Sequence, residues 1–162
     1  MVIRKADIDK DYDGVWEIFL HVISGGDVFS FEPDTPKADL KKLWFADKMD
    51  TYVAVDNLGK IVGSYYVKPN QPGLGSHIAN AGYMVHPDAK GTGIGKLLCQ
   101  HSIDFAREKG YLGMQFNMVV STNEAAVWLW KSFGFSIIGT IPQAFRHQRL
   151  GLVDAYIMYK NL

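Results

Sequence analysis

Six residues, Lys90-Gly91-Thr92-Gly93-Ile94-Gly95, set three glycines at alternate positions between a β-rich segment and a helical one. Glycine adopts backbone angles closed to other residues and lacks the Cβ that blocks close approach. Amides that face one way at a helix start bind an anion. The expected chemistry is retention of a phosphate or pyrophosphate by main-chain N–H groups. The run is not a Walker loop, since no Gly-Lys-Ser/Thr ends it. It also departs from the Gly-x-Gly-x-x-Gly dinucleotide fingerprint.

The chain has 162 residues, enough for a sizeable core, and a single domain over 1–162 is expected. Hydrophobic residues make up 48% and charged residues 21%, the balance of a soluble globular protein. A formal net charge of zero gives no general attraction to nucleic acid or to an anionic membrane, so neither is expected as a partner. No apolar run approaches the roughly 20 residues that span a bilayer. The N-terminus, MVIRKADIDKDYDG, has no signal-peptide apolar core. The single Cys99 cannot form an internal disulfide, and a cytoplasmic location is expected.

The elements that hold the turn follow from periodicity. Residues 2–5 read as a strand, and Tyr12, Val15, Trp16, Phe19 and Leu20 as a helix ended by Gly25-Gly26. A second helix is expected after Thr35-Pro36, with Thr35 as N-cap and Leu40, Leu43 and Trp44 on one face. Between the two helices lie Phe29 and Phe31. With Trp44 and Phe45 they are core or the wall of a pocket. Thr51–Asp56 and Ile61–Lys68 read as a hairpin, and His77–Val85 as the strand that Pro87 stops. Gly93–Lys109 is expected to be a helix with Ile94, Leu97, Leu98 and Phe105 buried, and His101 among them. Met114–Val120 is a strand. Asn123 opens a helix through Trp130 to Gly134. Phe135–Ile141 is a strand ended by Pro142, Gln143–Leu152 a polar, basic loop, and Val153–Tyr159 the last strand.

Two motifs carry a family resemblance. The pattern hydrophobic-x-Val-x-Pro-x-x-Lys-Gly-x-Gly-Ile-Gly-x-x-Leu-Leu resembles the acetyl-CoA motif of the GCN5-related N-acetyltransferases, the GNAT family. The family core, Gln/Arg-x-x-Gly-x-Gly/Ala, stands here as Lys90-x-x-Gly93-x-Gly95, and lysine keeps the positive charge. Asn123-x-x-Ala126-x-x-x-Trp130-x-x-Phe133-Gly134-Phe135 resembles the family's Asn-x-x-Ala-x-x-x-Tyr-x-x-x-Gly-Phe. The order β-α-α-β-β-β-α-β-α-β-β is also that of the family. The resemblance implies an α/β (α+β) GNAT fold: a mixed, mostly antiparallel seven-stranded sheet with parted strands 4 and 5, and about four helices.

It further implies transfer of acetyl from acetyl-CoA to the amine of a small molecule, by direct attack in a ternary complex and without a metal. Carried over residue by residue, Lys90, Gly91, Thr92, Gly93, Ile94, Gly95 and Lys96 hold the pyrophosphate. The strand edge Tyr83-Met84-Val85 pairs with the pantetheine arm, Asn123 and Trp130 flank it, and the Val85 amide polarises the thioester. Trp130 replaces a tyrosine that protonates the leaving thiolate in many members. An indole N–H only donates a hydrogen bond, so the thiolate leaves unassisted or another group, such as Tyr156, acts. For the base, His77, His86, His101 and water stay open.

His77-x-x-Asn80-Ala81-Gly82-Tyr83-x-Val85 and Phe116-Asn117-x-Val119-x-x-Thr122-Asn123 are similar to stretches of fungal N-acetyltransferases that act on proline analogues such as azetidine-2-carboxylate. There two asparagines hold an amino-acid substrate; here they would be Asn80 and Asn117. Buried in apolar segments, these amides need partners, and pairing with each other or with backbone is the competing reading. Arg146, His147 and Arg149 either bind an acidic group or form a solvated loop. Protein N-terminal or lysine acetylation, and a silent CoA-binding sensor, are the alternative functions. Family members often form homodimers, but the sequence carries no dedicated interface signal.

Overall fold

The computed structural model describes all 162 residues. In chain order its elements are β1 (Val2–Lys5), α1 (Ile8–Ser24), α2 (Leu40–Trp44), β2 (Asp50–Val55), β3 (Ile61–Pro69), β4 (Ile78–Val85), α3 (Ile94–Glu108), β5 (Gly113–Val120), α4 (Glu124–Ser132), β6 (Ser136–His147) and β7 (Gly151–Asn161). The strands form one seven-stranded sheet in the order β1-β2-β3-β4-β5-β7-β6. Every neighbouring pair is antiparallel except β4 and β5, which run parallel. This is the expected fold class. No helix is long and apolar enough to cross a membrane.

Period-2 alternation divides the core between the two faces of the sheet. In β4, Ala79 and Ala81 join a cluster with Leu98, Ile103 and Trp130 from α3 and α4. Met84 points the other way, to Phe19 and Trp44 from α1 and α2. Trp44 is fully buried, and its Nε1–H donates to Ser64 Oγ at 2.9 Å. Beside this core, β1 is tied to α1 by a two-pronged pair. The Arg4 guanidinium donates to both oxygens of buried Asp11, at 2.6 and 2.8 Å.

The sheet opens at its centre. The β4–β5 ladder consists of two pairs, Ile78 with Gly113 and Ala79 with Met114. One step further, the buried Asn80 side chain donates its Nδ2–H to the Gln115 carbonyl at 3.0 Å and closes the apex of the wedge. Beyond it β5 bends away, because its pairing with β7 shifts register between Phe116 and Val119. The rings of Tyr83, Phe116 and Trp130 fill one side of the opening, Trp130 lying 4.8 and 4.9 Å from the other two. The His77 carbonyl points toward β5, and the His86 N–H points to Val62 on β3. Backbone groups alternate between strand edges. The amides and carbonyls of Ala81, Tyr83 and Val85 therefore face the gap with no strand opposite.

Four sequence expectations need correction. Thr35 is not a helix cap: its hydroxyl donates to the Glu32 carbonyl, and Pro36 precedes a 3-10 turn that leads into α2. His77 lies outside β4. Leu97 is half exposed; the stripe is completed by Cys99, Ser102, Ile103 and Ala106 instead. Pro142 does not end β6, which runs to His147, so most of the expected basic loop is strand. β6 is an edge strand, where a missing N–H is tolerated, and its register shifts between Ile141 and Phe145.

Two predictions follow from these ties. Hydrogen bonding to Arg4 holds the Asp11 carboxyl below its usual range, and this outweighs partial burial. Such a group stabilises the fold above its unfolded pKa of about 3.9, and the contribution is lost as pH falls through the lower folded value. Asp11→Asn should therefore lower the urea midpoint near neutrality and flatten its fall below about pH 5; a parallel acid limb in both proteins contradicts this. Asn80→Leu removes the only donor to the Gln115 carbonyl across the apex and should cost about 1–2 kcal/mol in equilibrium unfolding.

Candidate active site

A cavity of about 550 Å³ occupies the wedge between β4 and β5. One wall is the turn before α3. Gly93 caps that helix with φ +88°, a left-handed angle that favours glycine. This angle faces the turn's amides outward. The N–H groups of Gly91, Gly93, Ile94 and Gly95 have no acceptor in the protein, and all four residues line the cavity. A cluster of unpaired amides at a helix start is an anion site, and the helix dipole adds to it. Lys90 lines the same wall.

Thr92 and Lys96 do not line the cavity. The Thr92 hydroxyl donates to the Ala89 carbonyl at 2.6 Å, which braces the turn. The Lys96 ammonium lies over the Trp128 ring, 5.4 Å from its centroid. The floor of the cavity is the open edge of β4, with Tyr83, Met84 and Val85 among the lining residues. The far wall comes from β5 and α4, including Asn123 and Trp130. Asn123 also caps α4, its side-chain oxygen accepting the Ala126 N–H at 3.3 Å.

Proton-handling groups are distributed differently from the sequence expectation. His77, His86 and His101 all lie off the cavity lining. His77 is exposed at the closed end of the wedge, beyond the start of β4. His86 is buried; its Nδ1 accepts the Asp88 N–H, so its Nε2–H donates to Glu17. His101 Nδ1 and the Tyr65 hydroxyl share a hydrogen bond at 2.6 Å. The Tyr83 phenol donates to Ser102 Oγ at 2.7 Å, because the Ser102 hydroxyl is spent on the Cys99 carbonyl. Burial pushes that phenol well above its usual range. It also pushes the Cys99 thiol up to about 12, which leaves the thiol inert. Tyr156 packs against the core and does not line the cavity.

Two titratable residues that sequence reasoning missed do line it: His21, in the last turn of α1, and Asp27, just beyond. The spacing of Glu17 and His21 puts them on one helix face, but nothing in the sequence says that this face meets the end of β4. Donor atoms of Glu17, His21 and His86 lie within 4.8 Å of one another, as metal ligands could. Both nitrogens of His86 are already hydrogen-bonded, and Lys60 Nζ is 3.9 Å from Glu17. As it stands, the set is a hydrogen-bonded cluster rather than three free donors.

The two asparagines are not brought together. Asn80 is spent on the wedge apex. Asn117 is exposed, donating to Asn70 and accepting from Gln115. Of the early aromatics, only Phe29 lines the cavity; Phe31 stacks on it with ring centroids 5.5 Å apart, and Phe45 packs on Tyr12.

Known proteins share this fold. A GCN5-related N-acetyltransferase from Kribbella flavida is 39% identical, with a TM-score of 0.94 over 99% of this chain and 97% of that one. A phosphinothricin acetyltransferase from Sinorhizobium meliloti shares the fold, with a TM-score of 0.89 at 19% identity over 99% of this chain and 88% of that one. The N-acetyltransferase aca1 of Schizosaccharomyces pombe is 38% identical over 107 residues, 64% of this chain. The matched stretch spans 50% of that protein's length. Residues 13–135 match the acetyltransferase (GNAT) family, and the chain belongs to it.

Proposed function

We propose that the protein is an acetyl-CoA-dependent N-acetyltransferase acting on the amine of a small molecule, with amino acids and proline analogues as the acceptor class. One observation carries this reading: four unpaired amides, of Gly91, Gly93, Ile94 and Gly95, line the same cavity as the unpaired edge of β4. A molecule that fits both has an anionic group and, attached to it, an arm with amide groups that can pair with a strand. Acetyl-CoA has that form, and the Sinorhizobium meliloti protein of the same fold was crystallised with it.

In this reading the four amides and Lys90 hold the pyrophosphate. Thr92 and Lys96 support the turn from outside. The β4 edge receives the pantetheine, with Asn123 and Trp130 opposite. The Val85 amide donates to the thioester oxygen as negative charge grows there, and such a donor is worth roughly 3 kcal/mol. Trp130 keeps water from the wedge but has no acidic proton to give. The acceptor amine enters beside α1, where His21 and Asp27 are the chain's groups in reach of its proton. Asn80 serves by tying β4 to β5 at the apex of the wedge, and Asn117 stays outside the cavity.

Gly93→Asp places a carboxylate and a Cβ at the centre of the turn, at a backbone angle that costs about 1–2 kcal/mol for an L residue. The variant should remain folded by circular dichroism and lose acetyl-CoA binding by at least about tenfold in isothermal titration. Undiminished binding removes the pyrophosphate assignment.

A further inference from the structure

A second lobe of about 360 Å³ adjoins the main cavity, and Asp27, Val28, Asn123 and Ala125 line both. It lies between the start of α4 and the turn that joins β6 to β7. That turn is pinned in place. The Gln148 N–H donates to the Gly26 carbonyl at 3.0 Å. Gly26 has φ +56°, and a Cβ there would meet the Gln148 side chain at 2.9 Å.

The turn presents one side chain whose neutral tautomer is fixed by its neighbours. His147 is 6% exposed and lines the lobe. Its Nδ1 accepts two backbone N–H groups, from Arg149 at 3.1 Å and Leu150 at 3.2 Å. A nitrogen that accepts twice carries no proton, so neutral His147 bears its hydrogen on Nε2. Nε2 has no partner in the protein. No sealed side-chain nitrogen is left unsatisfied, so this N–H is open to solvent. Arg149 lines the same lobe and makes no ion pair with a carboxylate. The N–H groups of Glu124 and Ala125, at the start of α4, are unpaired as well.

These donors all favour an anion, while the carboxylates of Asp27 and Glu124 line the lobe too. The charges are therefore arranged for a zwitterion rather than for a bare anion. Asp27 stands where the lobe meets the main cavity, and its carboxylate has no hydrogen-bond partner. We infer that the acceptor is an amino or imino acid whose carboxylate is held by His147 Nε2–H and Arg149, with its ammonium beside Asp27 at the entrance to the acyl site. This rests on the acetyltransferase reading and narrows it. The same donors suit the 3′-phosphate of the carrier, so the test separates the two sources.

Thiol release from acetyl-CoA is measured with proteinogenic amino acids and azetidine-2-carboxylate, each beside its carboxamide. The acids should exceed their amides at least tenfold in kcat/KM. His147→Asn keeps an acceptor for the turn amides but lacks the Nε2–H, and Arg149→Gln removes the cation. Each should raise KM for the acid about tenfold while leaving amide turnover and the KM for acetyl-CoA unchanged. Equal turnover of acids and amides by the parent protein overturns the inference, as does a raised KM for acetyl-CoA alone, which assigns the lobe to the 3′-phosphate. Acetyl-CoA binding with no thiol release from any compound sinks the acetyltransferase reading, and the inference falls with it.

Discussion

The unmet hydrogen-bonding demand of one strand edge governs this molecule. After two ladder pairs β4 and β5 part, and the main-chain groups of Ala81, Tyr83 and Val85 are left without a partner strand. Backbone polar groups are rarely left so, because an unpaired donor or acceptor shut away from water is costly. Here they border a cavity, where solvent or a ligand can meet them. Other features maintain that condition: the Asn80 bridge at the apex, the bend of β5, and the aromatic packing of Tyr83, Phe116 and Trp130.

The turn before α3 works by the same logic at smaller scale. A helix leaves its first amides unsatisfied. A left-handed glycine at the cap adds neighbours to that set and directs them at the wedge. Strand edge and helix start thus offer donors to one space from adjacent points of the chain. No side chain has to be ordered to provide them, so little conformational entropy opposes binding.

Much of this was legible in the sequence, and the parts that were not share a cause. Strand and helix positions follow from local periodicity, and the alternating glycines of 91–95 mark, by conformational need, the turn whose amides are left unpaired beside the cavity. The roles of the histidines did not follow, because each depends on a partner distant in sequence: Glu17 for His86, Tyr65 for His101. His21 and Asp27 were missed because their importance arises only when the end of α1 reaches the mouth of the wedge. Asn80 and Asn117 share a residue type and lie on adjacent strands, but one is buried at the apex and the other exposed. Pro142 reads as a stop because the sequence alone does not tell an edge strand from a central one.

That proline has a further effect. β6 forms one rim of the sheet, and a rim of free N–H and C=O groups invites another chain to dock by strand addition. At Pro142 the rim lacks a donor, and at Gln143, with φ +51°, the backbone turns out of the extended line and gives its N–H to Asp154. A foreign strand approaching along this flank meets a break in its template near the middle. The flank is thereby protected against runaway self-association, whatever other surface the protein uses to meet its neighbours.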